Sequence, residues 1–419
     1  MQIRIANKKI RLNRAQLWCI IMSAGFLALL ITMLFTNGQS LLDQTYVKRG
    51  NTYFDFAYSM IQAHSRKTYD SMYPPFAQMF FHVLICLIPD YSKKMTVKKL
   101  LNYPLGSLFI LFFFIVCILF IMWMITDQLK EKTWQKRCLA ILLFFSAPYI
   151  YEFQRGNVLM IVVPLTCFFI FYYDSDSPKV RVLASLALAF AAGFKIYPAI
   201  LGVLLLMERR WKQAAQAVIM GLAVLILPAF YFQGVDTLKQ IINALFSTTD
   251  EMVGRGVGHQ LSLVNFARTM NEAFGWNINT GLFMLIMMAF MIVTFFLARE
   301  RWQRVAILCA AMVTWPSISF QYTMILMTLP LLLFFMEEKL DDKWDVIFTV
   351  ILALCFIIIP FGGQNAFRFT EGQYYSLNIT TVLENIAINA LIIAIFINSL
   401  KRSGKPLLQK GSETEKEVL

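Results

Sequence analysis

The chain has 419 residues, of which 58% are hydrophobic, 15% aromatic and only 15% charged, with a formal net charge of +13. Soluble domains carry roughly 25% charged residues, so a soluble chain of two or three domains is excluded. With it goes the nucleic-acid partner that such a basic charge would suggest; the charge is read instead as membrane topology, because Lys and Arg are retained on the cytoplasmic side of short loops.

At the N-terminus Arg4, Lys8, Lys9, Arg11 and Arg14 precede an apolar run over 15–35. That run exceeds the roughly 7 to 15 residues of a signal-peptide core and has no evident small-residue cleavage site, so it is expected to remain as the first span. Eleven further runs follow, at 103–126, 138–153, 156–173, 182–193, 196–207, 213–232, 279–297, 305–318, 321–336, 346–361 and 384–400. The expected fold class is an all-α integral membrane protein of about twelve transmembrane helices.

Basic clusters at 127–137, 174–181, 208–212 and 298–304 join the N-terminus, the Lys339/Lys343 loop and the tail on one side, taken as cytoplasmic. A single polytopic domain over 1–400 then ends in a solvated cytoplasmic tail over 401–419, and both termini are cytoplasmic. The long loops 36–102 and 233–278 fall outside. Parity leaves no room for the run 74–90 as a crossing. Its Pro74-Pro75 start, its Pro89-Asp90 end and the lysines Lys93, Lys94, Lys98 and Lys99 suit a helix lying in the outer interface.

The seven cysteines, Cys19, Cys86, Cys117, Cys138, Cys167, Cys309 and Cys355, show no CxxC pair and no neighbouring His cluster. They read as small core hydrophobes, and no metal site is expected. The runs 182–193 and 196–207 are each about 18 Å long at 1.5 Å per residue, against a hydrocarbon core of about 30 Å. Their shared apex, Gly193-Phe194-Lys195-Ile196-Tyr197-Pro198, therefore places Lys195 either below the membrane surface, facing a wet cavity, or snorkelling to the interface.

Two more apices point the same way, one carrying Glu152, Arg155 and Asn157 and the other Ser319 and Gln321. The outer loops add Asp55, His64 and Asp70, then Arg255, His259 and Gln260. A recessed outer cavity with carboxylates and cations suits a lipid-linked phosphate whose tail stays in the bilayer. Arg155, Lys195, Arg255 and His259 are candidates to neutralise a phosphate leaving group, and a carboxylate to take the proton of an acceptor hydroxyl. Sugar transfer from a polyprenyl phosphate needs this set and no cofactor.

Blander readings stand beside these. Asp43, Asp55 and Asp70 also read as solvated loop acids, Glu152 and Arg155 as a structural ion pair, and Gly254 to His259 as either a phosphate nest or a flexible loop. A polymerase or ligase using diphosphate-linked oligosaccharides and a lipid-linked sugar flippase are the competing functions. Paired halves with broken helices at mid-membrane, expected of a transporter, are not seen.

The ordered series Asp55-Phe56, Thr68 to Phe76 (TYDSMYPPF), Gln154 to Asn157 (QRGN), Gly193 to Pro198 (GFKIYP) and Glu208 to Lys212 (ERRWK) resembles glycosyltransferase family 87, of the multi-spanning GT-C class. The resemblance implies a GT-C-like fold with interfacial helices in the first outer loop. It also implies inverting transfer of a hexose, often mannose, from a polyprenyl-phosphate donor to a lipid-linked or polysaccharide acceptor at the outer face of the cell membrane. Asp55 maps to the class's general base and Lys195 to its lysine-proline element. The family's GQxN appears here as QRGN, with Arg155 inserted. Tyr73, His64, Asn157, Gln260 and Gln321 complete the expected substrate contacts.

Overall fold

The computed structural model describes residues 2–5, 8–39, 52–66, 73–89, 95–246, 260–336, 340, 342–360, 367–371, 373–377 and 379–403. Each of the twelve apolar runs carries helix. The described chain begins with a hairpin of β1 (Gln2–Ile5) and β2 (Lys8–Arg11), followed by α1 (Arg14–Phe35). Next come three short helices, α2 (Phe54–Gln62), α3 (Pro75–Cys86) and α4 (Val97–Asn102), which occupy the first long loop. The body continues with α5 (Pro104–Gln128), α6 (Thr133–Phe144), α7 (Ala147–Arg155), α8 (Leu159–Tyr172) and α9 (Pro178–Phe194).

A 3-10 turn over Tyr197–Gly202 runs into α10 (Val203–Met207) and then α11 (Trp211–Tyr231). The second long loop carries α12 (Val235–Phe246) and α13 (Leu263–Phe274). The chain ends through α14 (Thr280–Leu297), α15 (Arg301–Thr314), a 3-10 turn over Gln321–Met327, α16 (Thr328–Met336) and α17 (Lys343–Leu354). A second hairpin, β3 (Phe367–Glu371) with β4 (Gln373–Leu377), precedes α18 (Ile379–Ser403). The two hairpins qualify the all-α expectation, and α18 carries the helix past residue 400.

Local chemistry sets the ends of these helices. Asn13 caps α1 by accepting from Gln16 N–H at 2.8 Å, while the Gln16 side chain accepts from Asn13 N–H at 3.1 Å. Pro75, Pro104 and Pro178 sit at first helical positions, where a missing N–H costs nothing. Pro198 acts in the opposite sense. Having no N–H to give the carbonyl four residues back, it stops α9 at Phe194 and leaves Lys195 extended at φ −145°, ψ 132°.

Five described helices are long and apolar enough to cross a membrane: Arg14–Phe35, Pro104–Gln128, Trp211–Tyr231, Thr280–Leu297 and Ile379–Lys401. The first, third and fourth bury only 17% of their apolar window against the rest of the chain. Their exposed Leu27, Ile219, Leu227 and Phe296 thus face whatever surrounds the bundle. The shorter α8, α15 and the segment 321–336 are instead buried along nearly their whole length. Short helices form the centre and long apolar ones its wall.

The basic loops meet at one end of α8. Tyr172 donates to Asp127 and accepts from Gln128 at 3.0 Å, and Tyr173 donates to Glu208. Arg301 pairs with Asp174 at 2.9 Å and lies 4.5 Å over the Tyr173 ring, and Arg210 pairs with Glu208 at 3.0 Å. Loops 127–137, 174–181, 208–212 and 298–304 therefore share one end of the bundle.

Arg14 belongs to the same end, since the start of α1 lines a crevice with Leu129, Glu131 and Trp134. Its guanidinium donates to Asp345 at 2.7 Å and to the Phe334 carbonyl at 3.1 Å, and stacks 4.4 Å over the Phe334 ring. Asp345 also accepts the Asp342 N–H at 3.1 Å. One buried pair thus ties α1, α16 and α17 together. Asp345→Ala is expected to lower stability by about 3 kcal/mol, because it strands a buried cation, whereas the double change Arg14→Leu with Asp345→Ala restores most of the loss. Thermal unfolding in detergent checks this, and equal melting of the single variant and the parent would remove the pair from the framework.

Candidate active site

The site forms at the other end of α8, where the QRGN turn meets the start of α2. Gly156 ends α7 in the left-handed conformation, φ +68°, which a side chain at that position would strain. A Cβ there would also stand 3.0 Å from the Tyr53 Cα. The missing side chain lets the two backbones close, and Tyr53 N–H donates to the Gln154 carbonyl at 2.6 Å.

That contact sets Asp55, in the first turn of α2, against the side chains flanking Gly156. Arg155 donates to Asp55 Oδ1 in an ion pair. Asn157 Nδ2 donates to Asp55 Oδ2 at 2.8 Å and to the Tyr73 hydroxyl at 3.2 Å. The Asn157 Oδ1 accepts Leu159 N–H at 3.2 Å, which orients the amide. Within QRGN, then, Gln154 docks the chain through its carbonyl, Arg155 brings a cation to the carboxylate, Gly156 permits the close approach and Asn157 orients the acid through its amide.

The Asp55 side chain remains 12% exposed and that of Arg155 20%, so a ligand can reach both. Each carboxylate oxygen has two lone pairs and uses one on Arg155 or Asn157. Lone pairs are left to accept a hydroxyl proton. Burial, then the nearby Asp55 carboxylate, push the Tyr73 phenol up, so it stays protonated at neutral pH.

Lys195 reaches this site from the break after α9, with its Nζ 4.5 Å from the centroid of the Tyr73 ring. Among the described residues no carboxylate pairs with its ammonium. Arg155 also lies 5.8 Å over the Phe54 ring. Two cations, one carboxylate, an amide and a phenol are thereby assembled from four separate stretches of the chain.

Other expected residues fall elsewhere. Arg155 pairs with Asp55 and not with Glu152, correcting the local ion pair; Glu152 is fully buried and accepts Met160 N–H at 3.0 Å. His64 sits past the far end of α2, nine residues and about 13 Å from Asp55 along the helix, where its Nδ1 meets the Ile61 carbonyl at 2.9 Å. Gln260 bridges to Phe320, and Gln321 donates to Glu384 at 3.1 Å. Asp43, Asp70, Arg255 and His259 lie outside the described residues.

Tyr322 is a neighbour of the site that no sequence pattern marks. It stacks on Tyr151 at 6.0 Å and lies in electrostatic range of Asp55, Tyr73 and Glu152; nothing local separates it from the lipid-facing aromatics. Glu384 carries a fainter signal, as a carboxylate at the start of an apolar run. Among the described residues no three His, Cys, Asp or Glu side chains gather to hold a metal.

A family model described as glycosyltransferase family 87 matches residues 72–338. The match includes Tyr73, Arg155, Asn157, Lys195 and Gln321 and begins after Asp55. No curated protein matches the chain. With more than half of its length matched, and with its long apolar helices, the chain belongs to glycosyltransferase family 87 and is a membrane glycosyltransferase.

Proposed function

We propose that this glycosyltransferase moves a hexose, with mannose favoured, from a polyprenyl-phosphate donor to a hydroxyl of a lipid-linked or polysaccharide acceptor. The reading rests on one arrangement: a partly exposed Asp55 held by Arg155 and Asn157, with the Lys195 ammonium close by. Asp55 takes the proton as the acceptor oxygen attacks the anomeric carbon. The carbon–phosphate oxygen bond breaks on the opposite face, so configuration inverts and polyprenyl phosphate leaves.

Lys195 and Arg155 stabilise the negative charge that grows on the departing phosphate. Arg155 keeps N–H donors beyond those used on Asp55, because a guanidinium carries five. Tyr73, as a neutral phenol beside Lys195, lines the same site. Nothing in this scheme requires a metal or an organic cofactor.

The proposed topology has about twelve crossings in a single domain over 1–400, a tail over 401–419, both termini in the cytoplasm and the Asp55 end outside the cell membrane. Its support is the gathering of the basic loops at the end of α8 opposite Asp55. The short inner helices touch protein along most of their length, which removes the mismatch that a helix of about 21 Å would suffer in a lipid core of about 30 Å. α3, about 18 Å long, lies along the outer interface in this scheme.

Two measurements test the reading. Purified protein given mannose on polyprenyl monophosphate should transfer it and release the monophosphate lipid. Turnover confined to diphosphate-linked oligosaccharides would instead establish a polymerase or ligase. A reporter fused after Lys99 should be active outside the membrane; a cytoplasmic signal there would make 74–90 a crossing and reverse the parity of every later segment.

A further inference from the structure

A second group of buried polar side chains gathers around the chain just before Tyr322. Glu384, in the second turn of α18, is fully buried; its Oε1 accepts Gln321 Nε2 at 3.1 Å, and its Oε2 has no hydrogen-bond partner among the described residues. Gln260 is 1% exposed and is held by its backbone: it forms an antiparallel bridge with Phe320, and its carbonyl accepts Asn385 Nδ2 at 3.2 Å. Both atoms of its side-chain amide are without a hydrogen-bond partner among the described residues. Buried amides and carboxylates are normally satisfied, and an unmade bond at such a position points to a ligand that makes it.

We propose that Gln260, Gln321 and Glu384 form a subsite for the hydroxyl groups of the acceptor sugar. An amide offers both donors and an acceptor, and a carboxyl group adds further acceptor oxygens, which together match a ring of hydroxyls. No cation stands among the three side chains, so the subsite does not suit the donor's phosphate. In-line displacement separates acceptor from leaving phosphate, which leaves Lys195 and Arg155 to the phosphate and the Glu384 group to the acceptor.

Connection to Asp55 runs through one turn of chain. Gln321 faces Glu384, while Tyr322, the next residue, lies in electrostatic range of Asp55 and stacks on Tyr151. Adjacent Cα atoms are about 3.8 Å apart. Tyr322 is thus the residue that links the Gln321–Glu384 pair to the surroundings of the base. Glu384 lies outside the family match over 72–338, so this part of the acceptor contact is supplied by the chain beyond it.

The inference rests on the glycosyl-transfer reading, and the test separates the two. Full-length protein in nanodiscs free of sugar-headed detergent is assayed with polyprenyl-phosphate mannose as donor and octyl α-mannoside or octyl β-glucoside as acceptor probe. Gln260→Leu is the leading variant, because its side-chain amide has no hydrogen-bond partner among the described residues; Glu384→Gln keeps the shape and exchanges the carboxyl for an amide. Both should raise the acceptor KM about ten-fold, the worth of roughly one hydrogen bond to a buried group, with the donor KM unchanged.

A raised donor KM with an unchanged acceptor KM, or no change in either for Gln260→Leu, overturns the proposal. Direct binding stands independently of turnover: the octyl glycosides should raise the melting temperature of the parent protein and not that of Gln260→Leu. Equal stabilisation of both proteins, or of neither, also overturns it. Glycoside binding without transfer would count against the transfer reading alone.

Discussion

The arrangement depends on the contact that pairs Asp55 with a cation and an amide inside a largely apolar bundle. A carboxylate in low-dielectric surroundings is costly unless it is paired and hydrogen-bonded, and Arg155 and Asn157 supply one partner for each oxygen. Both partners come from one turn, and that turn reaches Asp55 because Gly156 presents no side chain to Tyr53. Backbone proximity, charge pairing and ligand access therefore share a single small region. Lys195 joins them because Pro198 forbids α9 to continue.

The rest of the molecule keeps this region apart from the other charges. Arg14, Arg210 and Arg301 with their acidic partners are packed at the far end of α8, about 21 Å away by helix length. Between the two ends the centre is built from α8, α15 and the segment 321–336, which are short and buried, while longer apolar helices form the wall. Backbone groups at the ends of short helices need partners other than lipid, and the surrounding protein encloses them.

Apolar run length and loop charge made much of the framework legible: each of the twelve apolar runs carries helix, and the four basic loops lie together. The apex at Lys195 was legible because the two runs it joins, 182–193 and 196–207, are each too short to reach across a hydrocarbon core of about 30 Å. What local patterns could not supply was pairing at long range. Glu152 and Arg155 are three residues apart on one helix and invite an ion pair, yet Arg155 reaches Asp55, 100 positions away. Gln321 and Glu384 are 63 apart, and no spacing rule joins them. His64 shows the converse, since sharing a loop with Asp55 says nothing about which end of α2 it occupies. The hairpin β3–β4 was hidden in a loop without an apolar run.

The central claim is that the Asp55 carboxylate is the base of glycosyl transfer, and Asp55→Asn tests it most directly. The amide keeps the shape and can still accept from Asn157 or Arg155, but it cannot take up the acceptor proton. With polyprenyl-phosphate mannose and a defined acceptor, transfer should fall by about 10²- to 10⁴-fold, the range of a general-base contribution, while the protein stays folded and still binds donor. Transfer at the parent rate by a folded Asp55→Asn protein would contradict the account.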